Sequence, residues 1–265
     1  MKNPPQIMGI LNVTPDSFSD GGQFGGVEQA VARAHAMVAA GADIIDIGGE
    51  STRPGADIVC QTEELKRVMP VIEALTDLDA KISIDTRRPE VASAAVAAGA
   101  SIWNDVTALE FDAGSPAMAA QIGCKIVLMH MRGTPQTMQK NPHYRNVVAE
   151  VMGYLKARMS MAITTGVKRE NIILDPGIGF GKRLDDNLDL LQHLDDFHIL
   201  GCPILLGASR KSFMGTIDGS DVKDRLGGSI ASALWGASMG ASILRVHDVE
   251  ETVQALRVWE AIYGS

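Results

Sequence analysis

Eight short apolar runs punctuate the chain, each stopping at a polar or glycine residue: Ile7 to Leu11, Ile44 to Ile47, Ile82 to Ile84, Ser101 to Trp103, Ile126 to Met129, Ile172 to Leu174, Ile204 to Leu206 and Ile243 to Val246. Short, nearly continuous apolar runs are expected of strands buried on both faces. Segments of helical character separate them. Val27 to Ala40 sets Val27, Ala30, Val31, Ala34 and Val38 against outward Glu28, Gln29 and Arg33, and stops at Gly41. Val91 to Ala98 follows Pro89, a residue suited to a first helical turn, and stops at Gly99. Tyr144 to Thr165 reads as one long helix, with Val147, Val148, Val151, Leu155, Met159 and Ile163 at helical spacing. Strand then helix, eight times in about the ~250 residues usual for such an architecture, predicts a closed (β/α)8 TIM barrel, one domain over residues 1–265.

In such a barrel the loops after the strands share one face, so the residues that end the runs converge. They are Asn12, Asp46, Asp85, Asn104, His130, Asp175, Ser209 with Lys211, and Arg245 with His247. The sixth run presents Asp175 at its tip, followed by Pro176 and a loop with Gly177, Gly179 and Gly181, where a flat molecule could approach the backbone and Phe180 could cover it. Taken alone, Asp175 reads as a structural cap of the next turn; the repetition of polar strand ends favours a site. Asn12 could ligate a hard cation or simply form a turn. Arg53, in a glycine-flanked loop, could grip phosphate oxygens or pair with Glu50. His130 and Met129 fit core packing as well as ligand contact. Ser209 to Ser212 places two cations between two serines, a turn able to hold an anion. Period two puts Arg245 and His247 on one face, and Asp248 is placed to cap the last helix.

Composition narrows the chemistry. With 46% hydrophobic residues in 265, one barrel accounts for the chain. A net charge of −8 leaves no basic face, so no nucleic-acid partner is expected. Met1 to Pro5 lacks an apolar export core, and the three cysteines, Cys60, Cys124 and Cys202, have no CxxC spacing. A cytoplasmic protein with no zinc or disulfide site is the expectation. Gly228 to Leu244 is apolar but rich in serine, with Gly236 and Gly240 at GxxxG spacing; it reads as a tightly packed helix leading into the eighth strand, with no membrane partner. The strand ends thus offer acceptors (Asp85, Asn104, Asp175) suited to an amino-bearing nitrogen heterocycle, and cations (Arg53, Lys211, Arg245, His247) suited to a diphosphate. Metal-assisted displacement of diphosphate from a carbon on that heterocycle joins the two.

The strings LNVTPDSFSDGG (11–22), GGESTRPGA (48–56), IDT (84–86), ND (104–105), LMHMRGTPQTMQ (128–139), DPGIGFGK (175–182), GASRKS (207–212) and RVHDV (245–249) closely resemble the dihydropteroate synthase family, from about Ile7 to the last helix. The resemblance implies a TIM barrel and a transferase that joins 6-hydroxymethyl-7,8-dihydropterin diphosphate to p-aminobenzoate with Mg2+. It implies that Asp85, Asn104, Asp175 and Lys211 hold the pterin, that Met129 and Phe180 line its pocket, and that Asn12 ligates the metal. Thr52, Arg53, Arg245 and His247 would hold the diphosphate, and Phe18, Pro54, Lys211 and Ser212 would shape the p-aminobenzoate subsite. Arg53, Lys211, Arg245 and His247 would assist the reaction. A homodimer and competition by sulfonamides are further implications. Ile178, where Phe is common, and Ala208, where Leu, Met or Thr is common, depart from the pattern. A pterin-binding methyltransferase domain shares the barrel but has no use for the diphosphate-gripping cations; a non-catalytic pterin-binding paralogue would not need them all.

Overall fold

In the computed structural model, which describes residues 4–14, 22–51 and 58–263, every apolar run is a parallel strand. They are β1 (Gln6–Asn12), β2 (Ile44–Gly48), β3 (Lys81–Asp85), β4 (Ile102–Asp105), β5 (Lys125–Met129), β6 (Ile172–Asp175), β7 (Leu205–Leu206) and β8 (Ile243–Val246). The hydrogen-bonded order is β6-β5-β4-β3-β2-β1-β8-β7, and a single parallel bridge between Leu174 and Ile204 joins the two ends. The result is the expected (β/α)8 barrel.

Period two sorts the strand residues into two cores. Ile45, Ile47, Ile84, Trp103, Leu128 and Leu174 face the surrounding helices. Met8, Ile44, Ile102, Val127, Ile173, Leu205 and Ile243 fill the barrel itself. Each fully buried aliphatic chain stabilises by roughly 1.5–3 kcal/mol, so this plug fixes the strand register as well as closing the interior.

The described helices are α1 (Gly22–Ala39), α2 (Gln61–Ala74), α3 (Pro89–Ala97), α4 (Ser115–Ile122), α5 (Val147–Thr165), α6 (Leu184–Gln192), α7 (Ser212–Asp218), α8 (Leu226–Ser238) and α9 (Val249–Tyr263). α1 begins five residues before the first residue expected, through glycines that weaken helix propensity. α5 begins three residues late. Asn146 caps it by accepting from Ala149 N at 2.9 Å, which leaves Tyr144 outside the helix with its hydroxyl donated to Gly181 O. Ile163, expected on the core stripe, is exposed, and Ala162 takes the buried position. In α8 a Cβ on Gly236 would come within 2.2 Å of Leu206 Cδ2, so the small residue lets the helix lie close on β7. No helix among the described residues is long and apolar enough to cross a membrane.

Candidate active site

Two residues beyond the plug, the same faces of the strands carry polar groups. Ile44 is followed at that spacing by Asp46, Ile102 by Asn104, Val127 by Met129, Ile173 by Asp175 and Ile243 by Arg245; β3 adds Ser83 and then Asp85. One layer at the C-terminal rim therefore brings together Asp85, Asn104, Met129, Asp175 and Arg245, with Asn12, Lys211 and His247 at or just beyond strand ends. Asn12 lies close by, since a Cβ built on Gly48 would be 3.7 Å from Asn12 Oδ1 and 3.8 Å from Asp85 Oδ2.

Arg245 is held within the acids. Its Nε donates to Asp46 Oδ2 at 2.6 Å and its Nη2 to Asp85 Oδ2 at 2.7 Å, while Asn104 Nδ2 donates to the same Asp46 oxygen at 3.0 Å. Asp46 Oδ1 and Asp85 Oδ1 are buried and accept nothing from the described residues. An unbonded buried carboxylate oxygen is costly, and each of these two, at the rim, can accept an N–H group. Burial pushes Asp85 up to about 7, with Arg245 opposing and Asp46 adding to the rise. Burial also opposes the charge of Arg245, but Asp46 and Asp85 outweigh it and raise its pKa. The two directions agree physically: a cation shared between two carboxylates keeps its own proton without fully compensating the burial of Asp85. Asp175 is likewise raised, by burial first.

The upward shift of Asp85 has a defined sign. Between its ordinary value of 3.8 and about 7, the folded protein retains a proton that the unfolded chain releases. Its contribution to stability is present below that window and is lost as pH rises through about 7. Thermal melts of the ligand-free protein from pH 5 to 8 are therefore expected to show a downward slope that is reduced in Asp85→Asn. An identical slope in the variant refutes the assignment.

Around β6, Asp175 Oδ1 accepts from Gly177 N at 2.7 Å, and Gly207, across from it, leaves space beside Asp175 Oδ2. Lys211 crosses Gly179 and places its ammonium 3.9 Å above the Phe180 ring. Met129 packs against Gly177. Ser209 Oγ lies 3.0 Å from His247 Nδ1 and accepts from His247 N, which orients the imidazole. Ser212, exposed, begins α7.

The anion-holding turn has less capacity than its sequence suggests. Arg210 adopts φ 55, its N–H goes to Ser229 Oγ, Lys211 N–H goes to Ala208 O, and the Arg210 guanidinium forms a bidentate pair with Asp248. Asp248, expected as a helix cap, thus ties the seventh loop to the eighth. Asp105 carries three bonds from Thr107 and Leu109 and shapes its own loop. Glu50 is taken by Arg87 and Arg88, with Glu64 buried behind Arg88. Phe18, Thr52, Arg53 and Pro54 lie outside the described residues.

One group escaped the sequence reading, and another was read only in part. Asp46 was placed on the shared rim as a charge inside an apolar run but given no role, and only the fold supplies its partners. Lys182 is buried in the loop after β6, where burial pushes its pKa down to about 7, and neither periodicity nor spacing marks it.

The model of the family described as pterin binding enzyme matches residues 8–247. The dihydropteroate synthase of Escherichia coli (strain K12) is 49% identical over 258 residues, 97% of this chain and 91% of the relative. Among solved structures, Xanthomonas albilineans dihydropteroate synthase with 4-aminobenzoic acid superposes with a TM-score of 0.93 at 48% identity, covering 99% of this chain and 94% of that one. The same organism's enzyme in complex with 7,8-dihydropteroate gives 0.90 at 44%, covering 100% and 96%. With near-complete coverage and identity close to one half, the chain belongs to the pterin-binding enzymes and, among them, to the dihydropteroate synthase family.

Proposed function

We propose that the protein condenses 6-hydroxymethyl-7,8-dihydropterin diphosphate with p-aminobenzoate, giving 7,8-dihydropteroate and diphosphate. The observation that carries this reading is the pair of buried acceptors, Asp46 Oδ1 and Asp85 Oδ1, in one layer with Asn104 and Asp175 and beside Arg245. An amino-substituted pyrimidine edge offers the parallel N–H donors that such acceptors need. Phe180 and Met129 would cover the ring faces. In the reaction the bond from the pterin methylene carbon to diphosphate breaks, with its electron pair leaving on oxygen. The aminobenzoate nitrogen then bonds that carbon and loses a proton.

Lys211, Arg245 and His247, together with Thr52 and Arg53, would stabilise the charge developing on the leaving group. Ser212 and Lys211, with Phe18 and Pro54, would border the aminobenzoate, where sulfonamides would compete. Asn12 Oδ1 is a hard oxygen at this rim and fits Mg2+, an ion that takes few protein ligands and keeps phosphate and water oxygens. When bound, the ion would neutralise diphosphate charge. A cytoplasmic homodimer belongs to the same reading. Its support is three free cysteines, and exposed Ile217, Trp235, Val258 and Ile262 on α7, α8 and α9 that a partner copy would cover.

The deciding assay measures diphosphate and dihydropteroate formed from the two substrates, with and without Mg2+. Pterin binding without either product would indicate a non-catalytic relative. Asp175→Asn tests the heterocycle site more narrowly, because asparagine can keep the Gly177 bond through its oxygen and alters the Oδ2 side alone. Losing charge-assisted bonds worth roughly 1.5–3 kcal/mol should weaken pterin binding about ten- to hundredfold in calorimetry. Unchanged affinity would remove Asp175 from the site.

A further inference from the structure

Lys182 closes the glycine-rich loop with no carboxylate among the described residues in hydrogen-bonding contact. Its ammonium lies 2.8 Å from Gly177 O, 3.1 Å from Phe180 O, 3.3 Å from His130 O and 2.9 Å from His130 Nδ1. Burial, with Lys182 and Arg132 nearby, lowers the pKa of His130 to about 2, so its ring is neutral and Nδ1 can accept. A buried lysine is tolerated only where its protons find acceptors, and here every acceptor belongs to the loop or to the end of β5. The ring of His130 is in turn fixed edge-on to Tyr154, with centroids 4.9 Å apart.

The clamped carbonyls belong to the two residues that matter most in this loop. Gly177 donates its N–H to Asp175 Oδ1, and Phe180 carries the ring beneath Lys211. The peptide between them has its own ties, Gly179 N to Asn187 Oδ1 at 2.6 Å and Gly179 O from Gln139 Nε2 at 3.0 Å. Only Lys182 links both key residues to the neighbouring strand end among these bonds.

We propose that Lys182 is a positioning residue for heterocycle recognition: it clamps the Gly177 and Phe180 carbonyls to the end of β5 and so fixes the spacing between the Asp175 carboxylate and the Phe180 ring. Lys182 touches no substrate in this scheme, which rests on the pterin-site reading given above.

Lys182→Met is expected to weaken binding of bare pterin roughly ten- to hundredfold in calorimetry and to raise KM for pterin diphosphate in parallel. KM for p-aminobenzoate should change less than about threefold. His130→Phe removes one acceptor and keeps an aromatic ring beside Tyr154; it should shift pterin affinity in the same direction by a smaller factor. That variant decides the matter if Lys182→Met fails to fold. Unchanged pterin affinity in the variant that folds, or equal losses for both substrates, overturns the proposal. Failure of the wild-type protein to bind pterin would instead overturn the functional reading itself.

Discussion

Replacing Arg245 by alanine is expected to be the most damaging single change in the pocket. It leaves Asp46 and Asp85 facing one another without the guanidinium they share. Breaking a buried ion pair by removing one partner typically costs roughly 3–5 kcal/mol, because the remaining charge is buried and uncompensated. Acid should recover part of the loss, since protonating Asp85 removes the charge left behind. Urea titrations at pH 8 and pH 6 should therefore show a larger deficit at pH 8, and an equal deficit would refute the shared-cation account. Binding should also separate two roles of the residue. Bare pterin loses affinity because the acids it meets are disordered, and pterin diphosphate loses more if Arg245 also meets the diphosphate. Equal losses for both ligands would restrict Arg245 to the acidic layer.

Gly177→Ala should rank next. The residue sits at φ +70, and a Cβ there would lie 2.0 Å from His130 O and 3.1 Å from His130 C. That carbonyl belongs to backbone paired with β6 through His130 N and Asp175 O, so it has little freedom to retreat. The left-handed conformation costs an alanine about 1–2 kcal/mol and forcing a methyl into packed space a further ~1–3. Roughly 2–5 kcal/mol of stability should be lost, together with pterin affinity. Gly123→Ala provides the comparison, with φ +65 and nothing within 4 Å of the added atom. If both variants lose the same amount in urea titration, the clash at Gly177 contributes nothing.

These outcomes depend on contacts between strands distant in sequence, and that is where sequence reading stopped. The eight strands were legible because each is a short apolar run, and their polar ends followed from the architecture. Asp85, Asn104, Asp175 and Arg245 could be placed on one rim because each ends a strand of a barrel whose strand ends share one face. Their mutual arrangement could not. Arg245 was read as a diphosphate ligand beside His247, and nothing in the sequence showed that it also reaches across the barrel to Asp46 and Asp85, residues 199 and 160 positions away. Asp248 and Arg210 were read separately as a helix cap and part of an anion turn, and they satisfy one another. Lys182 ended a quoted string but was given no role, because its burial depends on how β5 and the glycine loop pack. Local pattern determines elements and faces; charge pairing is decided only when the ring of strands closes.

The ring has one narrow junction. Leu174 and Ile204 make a single bridge, supported by Leu174 N donating to Pro203 O, where other neighbouring strands share longer ladders. Asp175 and Gly207 lie just above it on either side. The barrel wall beside Asp175 is therefore closed by one bridge where other neighbouring strands share a ladder, so widening it there would break fewer pairings than anywhere else in the ring.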